Sequence, residues 1–155
     1  MLPAYAALAR FSHGATGLPL RLRLLVSQLA AERSGCEWCI VRGRHVWREA
    51  QLPAELLAAL DAFPSSGGFS DAERAALTFA EALTRYNDAS GGIPLEPLAA
   101  VRQHYTEPEV AALVETVAAM HFYNPITGAL GADVAPRRAK PRHAVTPSAA
   151  RHLWL

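Results

Sequence analysis

Apolar residues recur three and four positions apart over most of the chain, the period of a helix with one buried face. Ala72, Ala75, Ala76, Phe79, Ala80 and Leu83 form one stripe, and Ser70-Asp71-Ala72-Glu73 ahead of it predicts a capping box with Ser70 as N-cap. A second box, Thr106 to Glu109 with Pro108 in the first turn, opens a helix striped by Val110, Leu113, Val114, Val117 and His121. Asn124-Pro125 is expected to interrupt or end that helix, because proline supplies no amide hydrogen. Leu18 to Arg33 reads two ways. Leu20-Arg21-Leu22-Arg23-Leu24 alternates like a strand, while Leu18, Leu22, Leu25 and Leu29 keep helical spacing; its length and the run Ser27 to Glu32 favour helix. Pro53 with Ala54 to Leu60 predicts a short helix, Pro64 to Gly68 a connector, and Tyr86 to Pro97 a loop. Alanine and leucine dominate while β-branched residues are sparse, so the fold class is all-α and a single domain, with no repeat of solenoid period.

Composition narrows the function. A chain of 155 residues, 51% hydrophobic, can bury a real core. Fifteen Lys plus Arg against fourteen Asp plus Glu leave a net charge of +1, so no sustained basic field favours nucleic acid or an acidic membrane surface. No charge-free run approaches the roughly 18 residues of a spanning helix; the most apolar late stretch, Val110 to Leu130, is broken by Glu115, His121 and Pro125. Met1 to Arg10 has no basic segment ahead of its apolar residues, and the expected location is the cytoplasm. Residues 135–155 change character: Arg137, Arg138, Lys140, Arg142 and Arg151 lack acidic counterweights, and three prolines interrupt them. They read as a peripheral tail beyond a helical domain of residues 1–134, its end, His152 to Leu155, apolar enough to dock on a neighbouring subunit.

The chemistry lies in Ser34-Gly35-Cys36-Glu37-Trp38-Cys39, a C-x-x-C at a predicted helix start, with Ser34 and Glu37 fitting a third capping box. Cys36 would then lie in the first helical turn, where free amides and the helix dipole favour thiolate over thiol. Cys39 follows one turn later on the same side, near enough to close a disulfide once either sulfur is oxidised. Zinc would need two further ligands, and only His45 lies nearby, so neither metal nor cofactor is expected. Two buried cysteines packed as small apolar residues are the plainer alternative.

The C-E-W-C with the R-E-A-x-L that follows it, the segment Phe69-Ser70-Asp71-Ala72-Glu73-Arg74-Ala75-Ala76-Leu77 and the late His121-Phe122-Tyr123-Asn124 resemble, in this order, the alkylhydroperoxidase D-like branch of the carboxymuconolactone decarboxylase superfamily. The resemblance covers roughly residues 1–134. It implies an all-α helical bundle that forms homo-oligomers, whether dimer, trimer or hexamer, and a dithiol peroxidase reduced by a lipoyl-type or other thiol donor. Cys36 and Cys39 match the catalytic pair, with Cys39 implied as the peroxidatic sulfur and Cys36 as the resolving one, although the helix-end argument alone favours Cys36. The family's motif also has a glutamate twelve residues before the first cysteine and a histidine four after the second. Here those positions are Leu24 and Gly43, and Trp38 stands where many members carry histidine or tyrosine.

Substitute acid/base groups are His121, on the stripe of another helix; Glu32, one turn before Cys36; Glu37, between the cysteines; and His45. His45 lies nine residues from Cys36, about 180° round a helix, and is expected to point away. Trp38, together with Trp47, Tyr5, Phe11, Phe122 and Tyr123, is a candidate to line an apolar substrate pocket, and Arg42, Arg44 and Arg48 give the motif helix a basic face. The leading expectation is a thiol peroxidase slowed by its missing proton relay and acting on a small peroxide. A non-catalytic or redox-responsive structural homo-oligomer is the alternative, and a decarboxylase or lactone-processing enzyme the third.

Overall fold

The computed structural model describes residues 6–8, 10, 17–85, 92 and 95–130. Its elements are α1 (Leu20–Arg33), α2 (Glu37–Glu49), α3 (Ala54–Ala59) running into a 3-10 turn (Leu60–Ala62), α4 (Asp71–Thr84), α5 (Leu95–Val101) and α6 (Glu107–Leu130), with no strand among the described residues. The fold is all-α, as the helical spacing implies.

The ambiguous leucine-rich segment is the central helix. Leu22, Leu25, Val26, Leu29, Ala30 and Ala31 of α1 are buried because α2, α4 and α6 pack around it. Full burial of a leucine such as Leu25 is worth about 1.5–3 kcal/mol, so these contacts override the strand-like alternation of Leu20 to Leu24. The main core joins α1 to Trp47, Phe63, Leu77, Phe79 and Leu113, while a smaller cluster gathers round the cysteines.

Polar ties fix the helices at their ends. Ser70 caps α4 with the full reciprocal box expected of it, and Glu73 of that box also accepts from Arg21 Nε at 2.6 Å, joining α1 to α4. Arg33 at the other end of α1 binds Glu81 at 2.8 Å and Asp61 at 2.5 Å. Arg74 donates to the carbonyls of Phe63 and Ser66, closing the connector onto α4.

Three boundaries differ from expectation. Pro53 is the N-cap of α3, just outside the helix it was expected to begin. Helix α5 starts at Leu95, inside the span read as a loop; residues 86–91, 93 and 94 lie outside the described residues. Most consequentially, α6 continues through Pro125 to Leu130. Pro125 offers no N–H to the carbonyl of His121. The turn is held instead by tertiary contacts: Asn124 Nδ2 donates to Ser34 O at 2.7 Å, and Thr127 is buried against Cys36. Helix propensity gives way here to packing on the cysteine segment.

Candidate functional site

The chain turns sharply before it reaches the first cysteine. Ser34 is the C-cap of α1 and its hydroxyl donates to Ala31 O; Gly35 follows at φ +67, a left-handed conformation that glycine adopts without steric cost. Cys36 N–H then returns to Ala31 O at 3.1 Å. This helix stop takes Ser34 away from the N-cap position expected of it. Cys36 itself is the N-cap of α2, and its Sγ accepts the Cys39 N–H at 3.3 Å.

Cys36 and Cys39 form a disulfide, with 5.2 Å between their α-carbons. Both are buried, Cys36 at 1% and Cys39 at 5% exposure. Ala31 of α1 and Ala119 and Tyr123 of α6 pack round them, with Trp38 and Met120 partly buried alongside. The Trp38 and Tyr123 rings lie 6.5 Å apart, and Phe122 meets Tyr123 edge-on at 6.1 Å. Thr127 Oγ1 is 3.6 Å from Cys36 Sγ and donates to Tyr123 O at 2.8 Å. A disulfide at a helix start, reached by one buried hydroxyl and walled by aromatic rings, can exchange two electrons with a thiol or with an oxidised small molecule.

The remaining candidates are dispersed. Trp38 joins the sulfur cluster, whereas Trp47 belongs to the main core and donates its Nε1–H to Pro53 O at 3.1 Å, away from Trp38. Glu37 is the first residue of α2 and exposed. Glu32 Oε1 accepts from Gln28 Nε2 at 2.9 Å and lies 3.7 Å from Arg44, so its oxygen is engaged away from the sulfurs. His45 is half-exposed and pairs with Glu49 at 3.1 Å. His121 is partly buried, its Nε2 without a hydrogen-bond partner among the described residues. It stands about 160° round α6 from Tyr123. Leu24 packs on the main core, and Gly43 faces the side chain of Gln28. Tyr5, Phe11 and residues 131–155, the basic tail included, lie outside the described residues. Also among the described residues, no group of three or more His, Cys, Asp and Glu side chains is arranged to hold a metal ion, and no helix is long and apolar enough to cross a membrane.

Sequence reasoning missed Gln28, Asn124 and Thr127. For Thr127 a signal did exist: it lies four residues after Tyr123 and eight after Ala119, on one helical face.

Fold and site together define an all-α bundle carrying a buried C-x-x-C pair. Among solved structures, the chain is similar to a protein of unknown function from Agrobacterium tumefaciens for which an antioxidant defence role of the AhpD kind has been suggested, at TM-score 0.79, 21% identity and coverage of 88% of this chain and 91% of that one. It is also similar to the debrominase Bmp8, at TM-score 0.74, 22% identity and coverage of 85% and 69%. A cysteine-to-alanine variant of Bmp8 in complex with 2,3,4-tribromopyrrole matches at TM-score 0.74 and 20% identity, with coverage again 85% and 69%. No protein-family model and no curated protein matches the sequence.

Proposed function

We propose that this chain is a dithiol–disulfide oxidoreductase of the alkylhydroperoxidase D-like branch, in which Cys36 and Cys39 reduce a small hydroperoxide. The observation that carries the reading is the Cys36–Cys39 pair at the start of α2, bonded to each other inside an AhpD-like fold. The dithiol gives two electrons and two protons to the O–O bond, yielding an alcohol, water and the disulfide; a lipoyl-type or other thiol donor restores the dithiol. Homo-oligomeric assembly and a cytoplasmic location belong to the same reading.

Turnover is slow. Leu24 and Gly43 hold the positions of the family's proton-transfer residues, and general acid/base help is commonly worth about 10²–10⁴-fold. The test is hydroperoxide added to the reduced full chain, with disulfide formation followed by mass and peroxide consumption followed in the Cys36→Ser and Cys39→Ser variants. The expected result is stoichiometric disulfide in the wild type and loss of consumption in both variants. Consumption unchanged in both would refute the reading and leave the redox-responsive structural homo-oligomer. Activity on a small acid substrate that survives loss of both sulfurs would favour the decarboxylase.

A second reading has its own support. The Trp38 and Tyr123 rings beside the disulfide suit a flat aromatic substrate, and one structural neighbour is a debrominase. The same dithiol would replace an aryl C–Br bond by C–H, releasing bromide and a proton and closing the same disulfide. Bromide release from a brominated pyrrole, compared with peroxide consumption under identical conditions, separates the two.

A further inference from the structure

The two sulfurs are not equivalent. Cys36 Sγ lies between two potential donors, the Cys39 N–H at 3.3 Å and the Thr127 hydroxyl at 3.6 Å, and it occupies the N-cap of α2. Thr127 is itself more than nine-tenths buried, so no bulk water competes for that hydroxyl. Cys39 Sγ receives no such bond among the described residues, and it is the more exposed of the pair, at 5% against 1%. Hydrogen bonds and a helix N-terminus both stabilise a thiolate more than a sulfur in a disulfide.

Resting on the dithiol reading above, we propose that Thr127 and the Cys39 amide make Cys36 the leaving sulfur when a thiol opens the disulfide, so that the reductant enters at Cys39. The incoming thiolate forms a bond to Cys39 Sγ as the Cys36–Cys39 bond breaks, and the electron pair departs on Cys36 Sγ as a thiolate. The Thr127 hydroxyl hydrogen, which binds Tyr123 O when the disulfide is closed, turns to that thiolate. A second thiolate of the donor then attacks the donor sulfur in the mixed disulfide, giving the donor's disulfide and the Cys39 thiolate. Two donor thiols are oxidised and one protein disulfide is reduced, with the two protons shared between the protein sulfurs. Thr127 is a positioning residue, acting through the sulfur it holds.

The groups able to influence this charge are few. Tyr123 of α6 packs against the pair, Glu37 follows Cys36 on α2, and Glu32 of α1 is held by Gln28 and Arg44. Thr127 is the side chain whose polar atom meets Cys36 Sγ, at 3.6 Å.

The oxidised full chain is exposed briefly to 2-mercaptoethanol, quenched in acid, and the adduct mapped by peptide mass spectrometry. The expected adduct is on Cys39; an adduct on Cys36 overturns the proposal. The thiols are then titrated by thiolate absorbance in Cys39→Ser, which retains Cys36, and in Cys36→Ser, which retains Cys39. Each is made with Thr127, with Thr127→Val and with Thr127→Ser. Cys36 should titrate below Cys39. Thr127→Val should cut its thiolate fraction at fixed pH by about tenfold, in line with the strength of hydrogen bonds to charged groups, Thr127→Ser should restore it, and Cys39 should not move. In the two-cysteine protein the same loss makes the pair more reducing by about 30 mV. An unshifted Cys36 in Thr127→Val, or a shift confined to Cys39, refutes the role of Thr127. If Thr127→Val does not fold, the adduct map and the order of the two single-cysteine titrations with Thr127 in place decide: Cys36 titrating at or above Cys39 overturns the proposal. A disulfide that no thiol opens fails differently: it removes the dithiol reading on which the proposal rests.

Discussion

Gln28 Oε1 occupies the place of a side chain at residue 43: a β-carbon built on Gly43 would stand 2.2 Å from it. Gln28 is 1% exposed, its Nε2 is committed to Glu32, and its Oε1 has no hydrogen-bond partner among the described residues. Helices α1 and α2 therefore approach each other by means of a glycine notch filled by an amide. The notch lies one turn beyond Cys39 on the same face of α2. At the position that matches the histidine of the family the sequence resembles, any side chain would have to displace the Gln28 amide.

Gly43→Ala should destabilise the fold by up to about 2 kcal/mol: overpacking a filled site costs about 1–3 kcal/mol, and alanine's higher propensity inside a helix returns about 1 kcal/mol of that. Gln28→Ala on that background should recover part of the loss, so the two changes are non-additive in a double-mutant cycle. Urea unfolding of the four proteins measures it. Equal midpoints for Gly43→Ala and wild type would mean that Gln28 moves aside freely.

Replacing His45 should leave the redox chemistry alone. Its ring is half-exposed and its partner is Glu49 on the same helix, a pair of the kind worth about 0.2–0.5 kcal/mol. His45→Ala is expected to consume peroxide at the wild-type rate; a large drop would return His45 to the site.

Acid should loosen the joint between α1 and α4 through Glu73. Burial pushes this carboxyl up, but the Arg21 hydrogen bond, the Ser70 amide and the Arg21 charge outweigh it, and the net shift is downward from 4.5. A group whose folded pKa is depressed adds stability that is present above its ordinary value and lost as pH falls through the folded one. Glu73→Gln should therefore be less stable than wild type at neutral pH, and the gap should narrow below about pH 4.5. A gap independent of pH between 3 and 7 would contradict the assignment.

Alkali acts on Tyr105. Burial, then the charges of Glu73 and Glu109, push its phenol up to about 12 from 10.0. With the folded pKa raised, the neutral phenol's contribution is complete below pH 10 and is lost as pH climbs towards 12. Tyr105→Phe should lack this alkaline loss, and the difference between its unfolding curve and that of wild type should grow through that window. A phenolate absorbance midpoint for Tyr105 near 10 in the folded protein would show that no such shift exists.

How much of this was legible in the sequence follows the range of the interactions involved. The Ser70 cap and the helical character of Leu20 to Arg33 depend on neighbours within a turn or two, and spacing reveals them. The glycine on the cysteine face was likewise readable, since Cys39 and Gly43 are four apart. Ser34 was misplaced because Ser-x-x-Glu satisfies a capping pattern at any helix start, whereas the left-handed turn at Gly35 makes Ser34 the end of α1. Pro125 was misjudged because local propensity does not include Asn124 reaching Ser34 across 90 residues. Thr127 approaches Cys36 across 91 residues, and Gln28 meets Gly43 only once two helices have docked. The half of the site built by a local motif was visible, and so was Tyr123 of α6 as an aromatic lining residue; the polar contacts that α6 supplies through Asn124 and Thr127 were not.

The disulfide encloses very little chain. Its cysteines are separated by three positions, and the loop-entropy relation gives a ring of that size about 2 kcal/mol at most. Much of that ring is already ordered by the return of Cys36 N–H to Ala31 and by the first turn of α2. The bond is therefore a poor staple and, on the dithiol reading proposed above, a good valve: it can open and close while the helices packed round it keep their places.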